Sequence, residues 1–397
     1  MTTTLTPGPA AIRPVVAPAR YGERLARARE GLAEHAAAGL LLGAGADLRY
    51  LTGYDAMSSE RLVMLVLGQT GQAALVVPRL EAMSAAACPA AVAGFVNVIP
   101  WDETDDVALV VAGRLAAATN EAPGSGRLLV SSTLWALHVL RLQAALPGRA
   151  FGLATEVLRA LRIRKDAEEI ALLRLAAHAA DRVVARIAAG RLVGRTEADV
   201  AREVRDRLVE AGHDAAAFAV VGSGPNSASP HHSASDRVIG PGDPIVLDIG
   251  GTMDGYYSDI TRTLWVTGGD PAMAPDPAFL KIFDLTQRAQ AAATAAVRPG
   301  IACERLDEVA RTVIAEGGHG PEFIHRLGHG IGLEGHEEPY LVAGNGEALK
   351  PGMAFSIEPG IYLAGRYGAR IEDIVICGVG GPEVLNEASR DLWVVSG

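Results

Sequence analysis

The chain has 397 residues, of which 49% are hydrophobic and 21% are charged, and its formal net charge at pH 7 is -10. This length and composition indicate a globular protein of two or three domains and exclude intrinsic disorder. The acidic balance lacks the basic surface of nucleic-acid-binding proteins, and three widely separated cysteines exclude a disulfide framework and a thiolate metal site.

The N-terminal residues 1–20 are rich in Ala, Pro and Thr and lack the continuous apolar stretch of a secretory signal. We therefore expect a flexible tail at residues 1–20 and a cytoplasmic protein. The chain contains no window of about 18 uninterrupted apolar residues, so we expect no membrane partner.

Residues 21–150 are expected to form an N-terminal α/β domain. Helical spacing of apolar residues opens this region, and short apolar runs between turn residues follow, which is typical of strands that alternate with helices. The predicted helices cover residues 21–39, 105–118 and 133–145, and the predicted strands cover residues 40–42, 62–67, 73–77 and 96–99.

Residues 151–397 are expected to form a second domain with an internal repeat. Helices are predicted at 154–190, at 196–212 with Thr196 as the N-cap, and at 277–297, and strands at 217–221 and 245–249. Segments 190–202 and 298–311 share a helix end, a Gly turn and a helix that contains Val-Ala-Arg. Two related halves would place a site between them.

Two predicted hairpins each carry a pair of carboxylates. Folding residues 245–266 about Met253 and Asp254 puts Asp248 opposite Asp259. Folding residues 353–377 about Gly365 puts Glu358 opposite Glu372 in the same way. Opposed side chains on one face lie about 5 Å apart at Cβ, where like charges repel unless a cation lies between them.

A glycine-rich segment with three histidines lies between the two hairpins. It runs over residues 323–339 and contains His325, His329 and His336, and its glycines allow the backbone to approach a ligand closely. Four carboxylates and an imidazole suit two ions such as Mn²⁺, Co²⁺ or Zn²⁺ better than one. Paired ions about 3.5–4 Å apart activate a shared water and stabilise an oxyanion, which favours a hydrolase.

Each of these features has a purely structural explanation when it is taken alone. A single Asp at a strand end more often makes a turn, a Glu pair across a hairpin can be a solvated face, and a lone His is more often structural than a ligand. Taken together, these explanations require that four acids on apolar strands, paired in register in both hairpins, lie beside a histidine cluster without any function. Buried unpaired carboxylates are costly, so we favour the metal site.

The same segments resemble the prolidase and aminopeptidase P branch of the pita-bread metallopeptidases. The resemblance implies a creatinase-like α/β N-terminal domain, to which the looser match at residues 47–54 contributes, and an α+β pita-bread catalytic domain with a pseudo-twofold repeat. It is carried by Leu247-Asp-Ile-Gly, Ser258-Asp-Ile-Thr-Arg-Thr, His325-Arg-Leu-Gly-His-Gly-Ile-Gly-Leu-Glu, Ile357-Glu-Pro-Gly-Ile-Tyr and Arg370-Ile-Glu.

The resemblance also assigns roles to residues of this chain. Asp259 and Glu372 would bridge both ions, and the complete ligand set would be Asp248, Asp259, His329, Glu358 and Glu372. His231 and His336 would contact substrate and transition state, and His232 would be a bystander. Arg370 would support the ligands or bind a substrate carboxylate. For His325 and Tyr362 packing is as good an explanation as a role beside the site.

The implied reaction is hydrolysis of the Xaa-Pro imide bond in dipeptides or at peptide N-termini. Proline's nitrogen has no hydrogen and its ring fixes φ, so general peptidases handle this bond poorly. Glu358 would be the general base, and His336 and His231 would donate hydrogen bonds to the developing oxyanion. A dipeptidase is favoured over an aminopeptidase. A dipeptidase must bind the proline carboxylate, through Arg370 or a residue of the N-terminal domain.

Two alternatives stay open from the sequence. One is another metal-dependent small-molecule hydrolase or lyase on the same fold, and the other is a catalytically silent peptide-binding module, although such relatives usually lose metal ligands. The expected cofactors are two divalent ions per chain, Mn²⁺ first and Co²⁺ or Zn²⁺ next. The expected partners are a proline-containing peptide substrate and a second copy of the chain in a homodimer.

Overall fold

The structure is a computed structural model, and residues 13–119 and 126–396 are described. The described chain divides into one unit at Val16–Arg162 and a second unit that comprises residues 13–15 and 163–396. The predicted boundary at 150/151 lies earlier than this division. Of the predicted tail at 1–20, residues 1–12 lie outside the described residues, and a helix already begins at Pro18.

The first unit is built around a mixed six-stranded sheet with helices along the chain between its strands. Its elements in chain order are α1 Pro18–Glu34, β1 Ala37–Gly43, α2 Ala46–Thr52, β2 Met64–Gly68, β3 Ala73–Pro78, α3 Ala82–Ala86, α4 Pro89–Val92, β4 Val96–Trp101, α5 Val107–Ala118, β5 Arg127–Val130, α6 Ala136–Ala145, β6 Ala150–Leu153 and α7 Thr155–Arg162. The predicted α/β class is confirmed.

The order of strands in this sheet is β4-β3-β2-β1-β5-β6. Every residue of β1, β2 and β3 is buried, as expected for central strands that are covered on both faces. The sequence prediction did not include β5, β6 or α2. Because β6 extends the sheet of the first unit in parallel with β5, the unit continues past the predicted boundary.

The second unit consists of two halves, each with two helices followed by antiparallel strands, in agreement with the predicted repeat. The first half contains α8 Ala167–Ala188, α9 Glu197–Glu210, β7 Ala215–Ser223, β8 Pro244–Met253, β9 Tyr256–Tyr257 and β10 Ile260–Val266. The second half contains α10 Pro277–Ala296, α11 Cys303–Glu316, β11 Gly328–Gly330, β12 Glu337–Leu341, β13 Ala354–Ile357, β14 Gly360–Leu363, β15 Tyr367–Arg370, β16 Asp373–Gly378 and β17 Gly381–Val384. The last strand, β18 Trp393–Val395, returns to the sheet of the first half and pairs in parallel with β10.

The sheets of the two halves have their own hydrophobic cores. β18-β10-β8-β7 form one sheet, with β9 pairing to β8, and β12-β11-β13-β16-β17 form the other, while β14 and β15 pair as a separate hairpin. One apolar cluster packs α8 and α9 on the first sheet, and another packs α10 and α11 on the second. In the described residues, no helix has both the length and the apolar character of a membrane span.

Helix ends account for the clearest success and the clearest error of the helix predictions. The Thr196 side chain accepts a hydrogen bond from the backbone of Asp199, whose side chain accepts one from the backbone of Thr196, so the predicted cap is confirmed. The predicted helix at 154–190 is wrong, because it is two helices, α7 and α8. Asp166 and Glu169 form the same reciprocal cap, so a second helix, α8, begins after Asp166.

Candidate metal centre

The first carboxylate hairpin is correctly placed but its predicted register is wrong. Asp254 and Gly255 form the turn with positive φ values of 48° and 81°, as a tight two-residue hairpin turn requires. Asp248 therefore pairs with Thr261, not with Asp259. Since the error is an even number of residues, Asp259 still belongs to the same face of the sheet as Asp248, as its diagonal neighbour.

The second carboxylate hairpin has the predicted register. Ile357 pairs with Asp373 across β13 and β16, and Gly360 pairs with Arg370 across β14 and β15. Both pairings fold about Gly365, where the φ of 73° favours glycine. Glu358 and Glu372 lie in the short gap between the two strand pairs, opposite each other.

A backbone bridge between Thr261 and Glu372 brings the acids of the two halves together. Glu372 donates its backbone N–H to the carbonyl of Thr261 at 3.1 Å, and the Thr261 hydroxyl donates to Glu372 Oε2 at 2.8 Å. Asp259, His329 and Glu372 each offer a ligand atom, all within 4.8 Å of one another. His329 Nε2 lies 3.8 Å from Asp259 Oδ2 and 3.3 Å from Glu358 Oε1. The structure therefore brings four of the five predicted ligands, from both halves, close together.

Burial and mutual repulsion shift the pKa values of the clustered acids upward. Burial, followed by the charges of Glu372 and Asp248, raises the pKa of Asp259 well above its usual value. Burial, followed by the charges of Glu358 and Asp248, does the same to the pKa of Glu372. Burial raises the pKa of Glu358 to about 7. A cluster of this kind is unfavourable by itself, and cations between the carboxylates would remove the penalty.

Two buried oxygens test whether metal ions fit here. Asp248 Oδ1 and Glu372 Oε1 have no hydrogen-bond partner among the described residues, although buried carboxylate oxygens normally have one. In both side chains the other oxygen is bound by the protein, by Arg370 in one case and by Thr261 in the other. Hard oxygen donors with an imidazole suit divalent ions of the Mn²⁺, Co²⁺ and Zn²⁺ type. The residues of this centre therefore fit divalent metal ions.

His329 is oriented as a metal-binding histidine would be. Its Nδ1 lies 3.1 Å from the carbonyl of Gly330, so that nitrogen donates and Nε2 faces the acids. Its backbone N–H donates to Ser356 Oγ, and that hydroxyl donates to Glu358 Oε1, both at 3.1 Å. Burial, and then the nearby His336, lowers the pKa of His329 to about 3. The ring is therefore neutral and can bind a cation.

Arg370 is fully engaged in holding the site together. Its guanidinium donates from Nη2 to Asp248 Oδ2 at 2.7 Å and to the carbonyl of Pro230 at 3.3 Å, from Nη1 to the Tyr362 hydroxyl at 2.8 Å, and from Nε to Thr261 Oγ1 at 3.1 Å. The residue is 2% exposed. Of the two roles suggested for Arg370, this geometry favours support of Asp248 over binding of a substrate carboxylate.

The remaining predicted residues surround this centre. The ring of His336 is exposed, and its centroid lies 3.9 Å from that of His329. His231 is exposed in the loop that follows Pro230, whose carbonyl accepts from Arg370. His325 Nε2 lies 2.9 Å from the Tyr362 hydroxyl, and burial lowers the pKa of His325 to about 4.

His232 is not the bystander that the sequence suggested. Its Nε2 donates to Glu197 Oε2 at 2.7 Å, and the Glu197 side chain is completely buried. Glu197 also accepts from the backbone and hydroxyl of Ser223 and of Ser235 and from the amide of Asn226. It therefore ties down both ends of the loop that carries His231. The sequence showed Glu197 only as an acid in the first turn of a helix, so nothing there signalled this role.

Both units match the sequence models of known protein families. The sequence model of metallopeptidase family M24 matches residues 171–378, and that of the creatinase/prolidase N-terminal domain matches residues 24–164. A probable dipeptidase PepE of Mycobacterium bovis is 47% identical over 376 residues, which cover 94% of this chain and 96% of the relative.

Two solved structures have the same fold over nearly their whole length. The dipeptidase PepE of Mycobacterium ulcerans has a TM-score of 0.87 and 46% identity, covering 96% of this chain and 99% of that one. A prolidase from Thermococcus sibiricus has a TM-score of 0.86 and 33% identity, covering 94% of this chain and 98% of that one. The expected fold of a creatinase-type N-terminal domain and a pita-bread catalytic domain is confirmed.

Proposed function

Because the chain belongs to metallopeptidase family M24 and carries a creatinase/prolidase N-terminal domain, we propose that it uses two divalent ions to cleave the Xaa-Pro imide bond of dipeptides. The observation that carries the two-ion part is a pair of buried oxygens, Asp248 Oδ1 and Glu372 Oε1, which have no hydrogen-bond partner in the part of the chain that the structure describes. They belong to different halves of the catalytic unit, and each lies beside further carboxylates. A single ion would leave part of this charge without a counter-ion.

The choice of substrate rests on the relatives. The mycobacterial relatives are named dipeptidases, and the archaeal structure is named a prolidase. A Pyrococcus furiosus relative that is 39% identical over 238 residues is named an Xaa-Pro dipeptidase. These names favour a dipeptide with proline in the second position over a longer peptide.

Bound ions would lower the pKa of the attacking water and stabilise negative charge on the carbonyl oxygen. Glu358 is placed to take a proton from that water and later to pass it to the proline nitrogen, and Ser356 holds its Oε1 at 3.1 Å. The exposed ring of His336 lies against His329 and would donate a hydrogen bond to the substrate carbonyl oxygen as charge develops. His231 would do the same from its loop. Arg370 keeps Asp248 in position throughout.

The ion that we expect is Mn²⁺, since four carboxylates and one imidazole form a predominantly oxygen-donor set. Co²⁺ and Zn²⁺ are the next candidates. The predicted homodimer can be checked in the same preparation by light scattering at several protein concentrations.

The decisive experiment starts from metal-stripped protein to which Mn²⁺, Co²⁺ or Zn²⁺ is returned. We expect about two ions per chain by elemental analysis and metal-dependent hydrolysis of Ala-Pro but not of Ala-Pro-Ala. Cleavage of the longer peptide would instead indicate an aminopeptidase. Two bound ions without cleavage of either peptide would reject the Xaa-Pro assignment and indicate a different metal-dependent hydrolase or lyase.

A further inference from the structure

An arginine that the proposed mechanism does not use lies beside the metal centre. Arg326 is three residues before His329, and its guanidinium carbon lies 4.2 Å from the ring centroid of Tyr340. Tyr340 is the strand partner of His329 across β11 and β12. The Arg326 side chain is therefore held against the strand pair that presents the ligand histidine.

Arg326 lies on the side of the strand pair that faces the site. Directly paired residues of neighbouring strands share one face of a sheet, so the Tyr340 ring lies on the same face of β11 and β12 as the His329 imidazole. The ring of His336, which belongs to the proposed catalytic machinery, lies against His329 on that side. The guanidinium over the Tyr340 ring is therefore within reach of a molecule bound there.

Arg326 differs from the other arginines of this region because its charge has no partner. In residues 13–119 and 126–396, no hydrogen bond or ion pair involves its guanidinium, although the residue is half-buried. Arg311 also lies over an aromatic ring, that of Phe323 at 4.3 Å, but its guanidinium pairs with Asp307 at 2.8 Å. A partly desolvated cation without a counter-ion is unfavourable unless it meets an anion in function.

We propose that Arg326 binds a carboxylate of the substrate. A guanidinium stacked on a tyrosine ring keeps its N–H groups free at the edge, where they can form two parallel hydrogen bonds to a carboxylate. The inference rests on the proposed peptidase function and gives Arg326 the role that was considered for Arg370, whose N–H groups are occupied inside the protein. The carboxylate has two possible sources, the free C-terminus of a dipeptide or an acidic side chain at the Xaa position.

The test compares substrate pairs that differ only in one carboxylate. Ala-Pro and Ala-Pro amide differ at the C-terminus, and Glu-Pro and Gln-Pro differ in the Xaa side chain. We expect Arg326→Gln to lower kcat/KM about 10- to 100-fold for the carboxylate member of one pair and at most about twofold for its amide. The affected pair identifies the source. Arg326→Lys keeps the charge without the planar fork, so its loss should be intermediate.

The matched control is Arg366→Gln. Arg366 also lies over a tyrosine ring, that of Tyr367 at 4.9 Å, but it is exposed in the turn between β14 and β15. This variant should leave all four substrates unchanged. Equal effects of Arg326→Gln on both members of each pair would overturn the inference.

Binding measurements separate this inference from the proposed function. Calorimetry of the metal-loaded protein with L-proline, L-prolinamide, L-glutamate and L-glutamine needs no turnover. If no Xaa-Pro peptide is hydrolysed, the proposed function fails. The Arg326 inference then stands only if two conditions are met. The wild type must bind L-proline or L-glutamate at least about tenfold more tightly than the matched amide. The Arg326→Gln variant must lose that preference. Identical preferences in both proteins would reject it.

Discussion

Arg370 Nη2 lies 2.7 Å from Asp248 Oδ2, while Asp248 Oδ1 is buried without a hydrogen-bond partner among the described residues. One oxygen of the carboxylate is thus fixed by the protein and the other is left for a cation. The guanidinium cannot rotate away easily, because it also donates to Thr261, Tyr362 and the carbonyl of Pro230. Arg370 therefore orients Asp248 and reduces the repulsion among the acids around it.

We predict that Arg370→Gln weakens metal binding. Residues that orient metal ligands typically contribute a factor of about 10–100 in metal affinity or activity, and we expect a loss of that size in the affinity for Mn²⁺. Calorimetric titration of the metal-stripped protein measures it. Arg366→Gln removes an exposed arginine and should leave the affinity unchanged. Equal Mn²⁺ affinities of wild type and Arg370→Gln would show that Asp248 does not depend on this contact.

We predict that Glu358→Gln removes turnover while an Xaa-Pro dipeptide still binds. Loss of a positioned general base typically costs a factor of about 10²–10⁴, and this side chain also belongs to the predicted ligand set, so kcat should fall at least about 100-fold. Stopped assays with Ala-Pro measure kcat, and calorimetry measures binding of the uncleaved dipeptide.

The metal content of the Glu358→Gln protein must be determined in parallel, because a lost ion would also abolish activity. Ser356→Ala is the matched control. It removes the hydroxyl that donates to Glu358 Oε1 at 3.1 Å but keeps the carboxylate, so its loss of kcat should be much smaller. Turnover near the wild-type rate with Glu358→Gln would rule out the base role.

The sequence predicted which carboxylates lie on the same face of each hairpin, because strand alternation determines which side chains share a face. Asp248 and Asp259 stayed on one face even though the turn at Asp254–Gly255 moved their register, since a shift by two residues preserves the face. The Glu358 and Glu372 register was correct because a single turn sets it for both strand pairs. The period of the strands therefore determines which carboxylates share a face, and the geometry of the turn determines which residues pair across the hairpin.

Contacts between distant segments could not be predicted in this way. His232 and Glu197 are separated by 35 residues in the chain, and neither carries a local pattern that indicates the other. Arg326 beside Tyr340 has no ion-pair partner within residues 13–119 and 126–396, and this too depends on where the acids of distant segments lie. Both require the folded chain, since they arise from tertiary packing and not from the period of a helix or strand.

We predict that Glu197→Gln destabilises the protein and uncouples His231 from catalysis. An amide cannot accept all the hydrogen bonds that hold the pKa of this buried carboxyl at about 2, so the free energy of unfolding should fall by roughly 2–5 kcal/mol. If Glu197 acts by holding the loop of His231, then His231→Ala should cost much less activity in the Glu197→Gln background than in the wild type.

Glu203→Gln is the control on the same helix. Glu203 pairs with Arg195 and Arg207, and its side chain is 27% exposed. Its loss should change stability by about 1 kcal/mol or less and should not alter the effect of His231→Ala. Strictly additive losses of activity in the double variant Glu197→Gln and His231→Ala would contradict the positioning role, whatever the change in stability.

We predict that His213 makes the protein less stable as the pH falls from 7 to 5. His213 is buried, its Nδ1 lies 3.1 Å from the carbonyl of Leu208, and its Nε2 lies 2.9 Å from the Ser258 hydroxyl. Burial lowers its pKa from 6.5 to about 4, so between these values the unfolded chain binds a proton that the folded chain does not. The free energy of unfolding then decreases with falling pH, by about 2 kcal/mol from pH 7 to 5.

The measurement is urea unfolding of wild type and His213→Gln at pH 7 and at pH 5. The variant can be less stable at both pH values because it disturbs a buried contact. The informative quantity is therefore the difference in the free energy of unfolding between pH 7 and pH 5. That difference should be about 2 kcal/mol smaller in His213→Gln than in the wild type. His35→Gln is the control, since His35 is exposed, and it should keep the wild-type difference. An unchanged difference in His213→Gln would show that the folded protein accommodates a charged His213.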